Sequence, residues 1–489
     1  MSGNPISGRT GADKFLPLHK QMALMMACCG VGFVASKMGL IGGLALIVMP
    51  IGIFFLGAMF VNPRIGIFSS LFMSFFISGF GLYIDAPWGL TLDIFLFISW
   101  LGLIFRDFKN TDWTPLRNDI VYILLAWYGF IVFQLVNPEA PGPVAWFYAM
   151  RGIGFYQLLG ATLIFMLYRH PKWVDFFLVT IMTLSLLGTL WGLRQQIFGV
   201  NSAEYRWLWD ENHHEEHVLF GVLRVFSFYS DAGQFGASQA MMSLIAGIIA
   251  LGNVNTKTRV FYGICCIMTF IGFAISGTRG ALAIPAAGGL IFLITSKNFR
   301  ILIPGLLAII MIFYVLKYTK AFQHIEQVRR MRTALDPNNP SLKNRLDNQK
   351  RFGRYLASRP LGGGIGSAGF WGSRFNPGSF LSLATDSWYV KIWAETGIVG
   401  ICIHLFTLGY IMGKGGHIVW HIRHPVLRQK IMALYSAYGG VLLSSYGNQV
   451  FGQMPTGMIM TISIPLIMMA PMYDNMLMTE ENGTYNEHS

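Results

Sequence analysis

The sequence predicts an all-α, polytopic integral membrane protein with about 12–14 transmembrane helices and a large, partly helical periplasmic loop. Of its 489 residues, 54% are hydrophobic and 12% charged, where a soluble domain carries about 25% charged residues. Apolar runs near the roughly 20 residues that cross a hydrocarbon core recur along most of the chain. They are uninterrupted rather than alternating, which suits helices and not barrel strands.

In chain order the candidate spans are Ala23–Ser36, Leu40–Phe60, Ile65–Ile84, Leu90–Phe105, Ile120–Val136, Ile153–Tyr168 and Val174–Gly192. The later ones are Phe235–Leu251, Phe261–Ile275, Ala281–Thr295, Ile301–Leu316, Trp388–Met412, Ile431–Ser445 and Met458–Met472. The first is short and interrupted by glycine, and Ile153–Tyr168 is the other weak one. The start is read as a retained anchor, because no small-residue cleavage site follows it and a second apolar stretch comes at once.

Cations set the orientation. With the N-terminus cytoplasmic, the inward connections carry Arg64, the Arg106–Arg117 group, Arg169, Lys172, Lys257, Arg259, Lys297, Arg300 and the Lys414–Lys430 group. The short outward connections hold only Lys37, Arg151 and Arg279, as the positive-inside rule requires. The expected organisation is N-terminal spans over 1–194, a first external loop over 195–234, and central spans over 235–316. A large basic loop over 317–387, C-terminal spans over 388–473 and a cytoplasmic tail over 474–489 follow.

The polar residues collect in the two external segments. The larger is rich in arginine (Arg329, Arg330, Arg332, Arg345, Arg351, Arg354, Arg359 and Arg374, with several lysines) and has few acids. A basic surface there fits phosphates or lipid head groups, with solvated arginines on a helix face as the alternative; nucleic acid is excluded by the compartment. The histidines of Trp209–His217 lack metal-site spacing, so a solvated acidic loop and no metal are expected. Gly364–Gly369 spells a dinucleotide-binding pattern but follows no strand; its glycines are expected to turn the chain back towards the membrane. Cys28, Cys29, Cys265, Cys266 and Cys402 all lie in predicted spans and read as small apolar residues.

From Asn344 the chain reads NRLDNQKRFGRYLASRPLGGGIG, and DSWYVKIWAETGIVG follows downstream. This resembles the O-antigen ligase/polymerase family, which shows an Arg, a Pro-Leu-x-Gly-x-Gly turn, a His-Asn pair and a helix ending in Glu-x-Gly. Arg345, Pro360-Leu361-Gly362 with Gly364 and Gly366, and Glu395-Thr396-Gly397 fill that order. Ser276–Ala281 resembles the family's Ser-x-Ser-Arg-Gly-Ala run, and Arg224 with Ser230-Asp231-Ala232 its earlier external Arg segment. The likeness runs from Arg224 onward. Where the family has His-Asn this chain has Asp386-Ser387, which leaves a polymerase or a divergent ligase as the readings.

The resemblance implies a glycan donor on undecaprenyl diphosphate and, as acceptor, another glycan or lipid A core, with membrane lipids around them and no cofactor. Arg224 and Arg345 are the expected diphosphate clamps, since guanidinium stays charged and matches phosphate oxygens. Asp386 is the expected base, with a helix-capping role as its alternative. Arg279, Arg351 and Asp231 are secondary substrate-binding candidates. Lys391 and Glu395, four apart, are expected to pair with each other. The competing function is a lipid-linked oligosaccharide flippase, against which stand spans nearly free of charge and no internal repeat.

Overall fold

The computed structural model describes residues 49–107, 111–219, 221–319, 326–333, 340–382 and 385–487, with isolated positions elsewhere. Most of the first predicted span, residues 40–48 of the second, and Cys28 and Cys29 lie outside the described residues.

Helices account for most of it, and most of them are apolar. The first are α1 (Met49–Val61), α2 (Pro63–Tyr83) and α3 (Gly89–Asp107); Pro63, which has no N–H to lose, opens α2. α4 (Asp119–Phe133) begins where the Asn118 side chain accepts the Val121 N–H. α5 (Pro143–Met150) runs through a π turn, Arg151–Phe155, into α6 (Tyr156–Leu167). After α7 (Lys172–Phe198) come two short helices, α8 (Ser202–Trp209) and α9 (His214–His217), and a two-residue antiparallel ladder, Val218–Leu219 with Val222–Leu223.

The second half holds α10 (Ala232–Ala250), α11 (Thr256–Ser276), α12 (Ala283–Thr295) and α13 (Phe299–Tyr318). A polar stretch follows with α14 (Glu326–Thr333), α15 (Pro340–Leu356) and α16 (Gly369–Phe375). The chain then re-enters the bundle as α17 (Trp388–His421), α18 (Pro425–Ser444), α19 (Thr456–Met468) and α20 (Ala470–Glu487).

Among the described residues six helices are long and apolar enough to cross a membrane, seven if α19 and α20, bent by 54°, form one broken span. Four shorter apolar helices accompany them. The chain is an all-α polytopic membrane protein. α10 and α18 match the spans in length, at 19 and 20 residues, but carry too many polar residues to be marked by composition.

α10 is the centre of the packing and lies against α7, α11, α12 and α18. Its polar residues are satisfied from neighbouring helices: Gln239 accepts from Thr189 Oγ1 at 3.0 Å and donates to the Ser185 carbonyl at 3.1 Å. Such contacts join helices in lipid, where apolar burial alone gives little drive.

Three expectations need correction. The weak span Ile153–Tyr168 belongs to a longer apolar segment, Pro143–Leu167. Arg151 therefore lies inside it, neutralised by Asp93 at 2.9 Å and set against the Phe147 and Tyr148 rings. The segment after α7 is also more ordered than a solvated loop: His217 is buried, and Trp207 packs on both His213 and His217. Glu204 anchors it, fully buried, accepting from Trp191, Arg194 and Gln195 side chains at 2.7–2.9 Å. Finally, α17 runs on to His421 rather than ending at Met412.

Glu204→Ala would leave Arg194 and Gln195 without their buried acceptor. A loss of about 3 kcal/mol is expected, read as a lowered thermal midpoint of detergent-purified protein, with Glu211→Ala on the exposed surface unchanged.

Candidate functional site

The site is built around a break in α17. At Gly397 the backbone leaves helical geometry, with φ +65° and ψ −166°. A broken helix frees N–H and C=O groups that lipid cannot satisfy. The chain supplies partners from the turn after α15: the Val399 N–H donates to the Pro360 carbonyl at 3.3 Å, and the Ala394 carbonyl accepts the Gly363 N–H at 2.9 Å. Gln134 and Asn137, past the end of α4, donate to the Leu361 carbonyl at 3.0 and 3.1 Å.

This docking explains two glycines. A Cβ on Gly397 would lie 2.1 Å from the Pro360 oxygen, and one on Gly362 would lie 2.4 Å from the Gly397 nitrogen. Both residues also have positive φ, which other side chains adopt only under strain. The expected return turn is thus a backbone plug seated in a helix break.

Above the plug, α15 presents Arg345 to the residues before α17. Arg345 Nε donates to Asp386 Oδ2 at 2.8 Å, with the side chains 33% and 53% exposed. Behind them Phe352, Leu356, Ala368, Leu381 and Ala394 form a small apolar core that ties α15 to the plug and to α17. The cleft lined by Arg345, Gln349, Thr385 and Asp386 holds only about 20 Å³, room for about one water. Anything larger must part the ion pair or approach from the open side.

The other predicted residues fall into two groups. Arg279, at the head of α12, lies within electrostatic reach of both Arg345 and Asp386. Arg224 donates to Thr278 Oγ1 at 3.2 Å, beside Arg279. Four side chains spread over some 160 positions of sequence (224 to 386) thereby gather at one end of the bundle. Arg351 does not join them: it is exposed, on another face of α15. Asp231 caps α10, accepting the Gln234 N–H at 2.9 Å and the Ser230 hydroxyl at 2.9 Å.

Two local expectations are overturned. Asp386 is not the cap of α17, because Ser387 accepts the Val390 N–H in that position. Lys391 and Glu395 make no ion pair among the described contacts. Lys391 lies over the Trp388 ring, 5.8 Å from its centre, while Glu395 turns inward to the plug.

Sequence reasoning missed the segment between α18 and α19. Ser444 donates to the Gly280 carbonyl at 3.1 Å, Tyr446 to Gln349 Oε1 at 3.4 Å, and Gln449 to Thr385 Oγ1 at 3.0 Å. It connects α12, α15 and the residue before Asp386. The run Ser-Ser-Tyr-Gly-Asn-Gln, polar between two apolar stretches, was the available signal. Arg330 of α14 was also missed as an individual: its guanidinium reaches within 3.1 Å of where a Cβ on Gly277 would stand.

Fold and site together define a polytopic helical membrane protein with a cationic, partly open cluster at one end of the bundle. Residues 264–405, which contain the break, the plug and the Arg279–Arg345–Asp386 group, match the family model described as O-Antigen ligase. An O-antigen polymerase of Salmonella muenchen is 26% identical over 198 residues, 38% of this chain and 46% of the relative. The chain thus spans less than half the length of that relative. Over these segments the chain is similar to the O-antigen ligase/polymerase family.

Gly397→Ala should unseat the plug and lower stability by more than about 3 kcal/mol. Gly409→Ala, with nothing within 4 Å of the new Cβ, is the same change on the same helix and should leave the thermal midpoint within a degree or two of wild type.

Proposed function

We propose that this chain is an O-antigen ligase/polymerase-like membrane glycosyltransferase. It moves a glycan from undecaprenyl diphosphate to a sugar hydroxyl during assembly of a surface polysaccharide, on the periplasmic face of a bacterial inner membrane. The observation that carries this reading is the gathering of Arg345 and Arg279 about one carboxylate, Asp386, with Arg224 bonded to Thr278 beside Arg279, within the family-matched segment and beside it.

The reaction needs fixed positive charge where the leaving diphosphate gathers negative charge, and a base where the acceptor hydroxyl loses its proton. Arginine meets the first need, with a permanent charge and paired donors. Arg345 has a double part. In the free protein it is held by Asp386; a diphosphate that engages its guanidinium frees the carboxylate. The acceptor oxygen then bonds to the anomeric carbon and its proton passes to Asp386. The anomeric carbon–oxygen bond breaks, and undecaprenyl diphosphate departs with the electron pair. Arg224 and Arg279 take up the charge on the leaving group. Arg351, exposed one and a half helical turns further on, is suited to head-group contact, and Asp231 to holding α10 in place.

The Asp386-Ser387 pair supports a polymerase or a divergent ligase, because a carboxylate stands where the family pattern has histidine. The donor, acceptor and metal independence are parts of the same proposal. A flippase would draw cations into the bundle, whereas these arginines sit at its polar end.

In vitro transfer from purified undecaprenyl-diphosphate oligosaccharide tests the reading, with products sized with and without lipid A core. Arg345→Ala and Asp386→Asn should each lower the rate by about a hundredfold or more, Arg351→Ala by less than about threefold, and a chelator should leave it unchanged. A ladder without core identifies a polymerase; a single addition only with core identifies a ligase. No transfer by wild type in either condition rejects the reading in favour of a transporter.

A further inference from the structure

Glu395 is fully buried within α17, two residues before the break. Neither of its carboxylate oxygens makes a hydrogen bond among the described residues. Facing them are the backbone amides of Gly366 and Ala368, close enough to interact though neither is aligned as a full hydrogen bond. Lys391, one turn earlier, adds a favourable electrostatic contribution without an ion pair, its ammonium lying over Trp388. A buried carboxylate without a close cation is costly, and an ionisable group inside a membrane bundle marks function before structure.

What Glu395 faces leads to the site. Ala368 packs in the small core with Phe352 of α15 and Ala394 of α17. The next residue, Gly369, is so near Thr385 that a Cβ would lie 3.4 Å from its hydroxyl. Thr385 is gripped by Gln449 and is followed directly by Asp386. Phe352 lines the same cleft as Arg345 and Asp386. The 366–369 backbone is thus the physical link between the interior of α17 and both members of the ion pair.

We propose that Glu395 is a positioning residue: its buried carboxyl group faces the amides of Gly366 and Ala368, and through that backbone it fixes where Arg345 and Asp386 stand. This rests on the transferase reading for its kinetic consequence but not for its structural one. Glutamine at 395 keeps the shape yet turns one acceptor into a donor aimed at an N–H group. Aspartate keeps the carboxyl group with a shorter reach.

The test uses full-length protein in lipid nanodiscs and three variants: Glu395→Gln, Glu395→Asp and Glu395→Ala. Transfer kinetics, thermal midpoint and amide exchange over 366–369 and 385–387 are measured on each. Glu395→Gln should lower kcat at least about tenfold, as misplacement of reacting groups does, with KM for the lipid-linked donor within about twofold. Exchange should quicken in both segments, and Glu395→Asp should recover more activity than Glu395→Gln. Retention of kcat in Glu395→Gln, or greater recovery by Gln than by Asp, overturns the proposal. So does a lowered thermal midpoint with unchanged kcat and unchanged exchange at 385–387. If wild type transfers nothing, the functional reading falls, while the exchange at 366–369 and 385–387 still decides whether Glu395 positions the pair.

Discussion

The structure depends on a backbone-to-backbone exchange at Gly397. A transmembrane helix cannot leave its N–H and C=O groups open in lipid, so a break is tolerated only where other groups replace the lost partners. Here the replacement is the turn at Pro360–Gly363, whose carbonyl and amide take the places vacated in α17. The consequence reaches well beyond the break. The turn follows the helix that carries Arg345, and Asp386 precedes the helix that receives it, so docking one into the other fixes the two charged residues across a cleft.

The polar groups of the bundle follow the same logic on a smaller scale. Gln239 is satisfied by α7, Arg151 by Asp93, and Glu204 by three donors from α7. Gln239 and Arg151 join elements distant in sequence, Glu204 ties α8 back to α7, and all three are buried. The Arg345–Asp386 pair differs because it is half open to solvent and can be exchanged for another anion at little cost.

The class of fold was legible in composition, because the solvent sets it: long apolar runs in lipid must be helices. The span beginning at Pro143 was harder to read, since Arg151 marks a loop by its charge and only the distant Asp93 reveals that it can lie inside a helix. The Arg345 to Gly397 motif order was also legible. That Gly362 and Gly397 touch was not, because the contact lies between segments 35 positions apart (397 − 362). The capping alternative at Asp386 was not decidable from sequence: Asp and Ser both cap helices well, and the sequence does not say which of two neighbours the helix begins behind. The Lys391–Glu395 spacing suggested a pair, whereas the plug offers Glu395 backbone amides that no sequence pattern announces. Ser444–Gln449 escaped notice because its residues are common polar ones whose importance comes from what they join.

The most direct measurement is a structure of the full-length protein in nanodiscs with undecaprenyl diphosphate bound. The account predicts diphosphate density between Arg224, Arg279 and Arg345, with the Arg345–Asp386 pair opened and the Pro360–Gly363 plug still seated at Gly397. Diphosphate held inside the helical bundle, or bound elsewhere while Arg345 remains on Asp386, would contradict it.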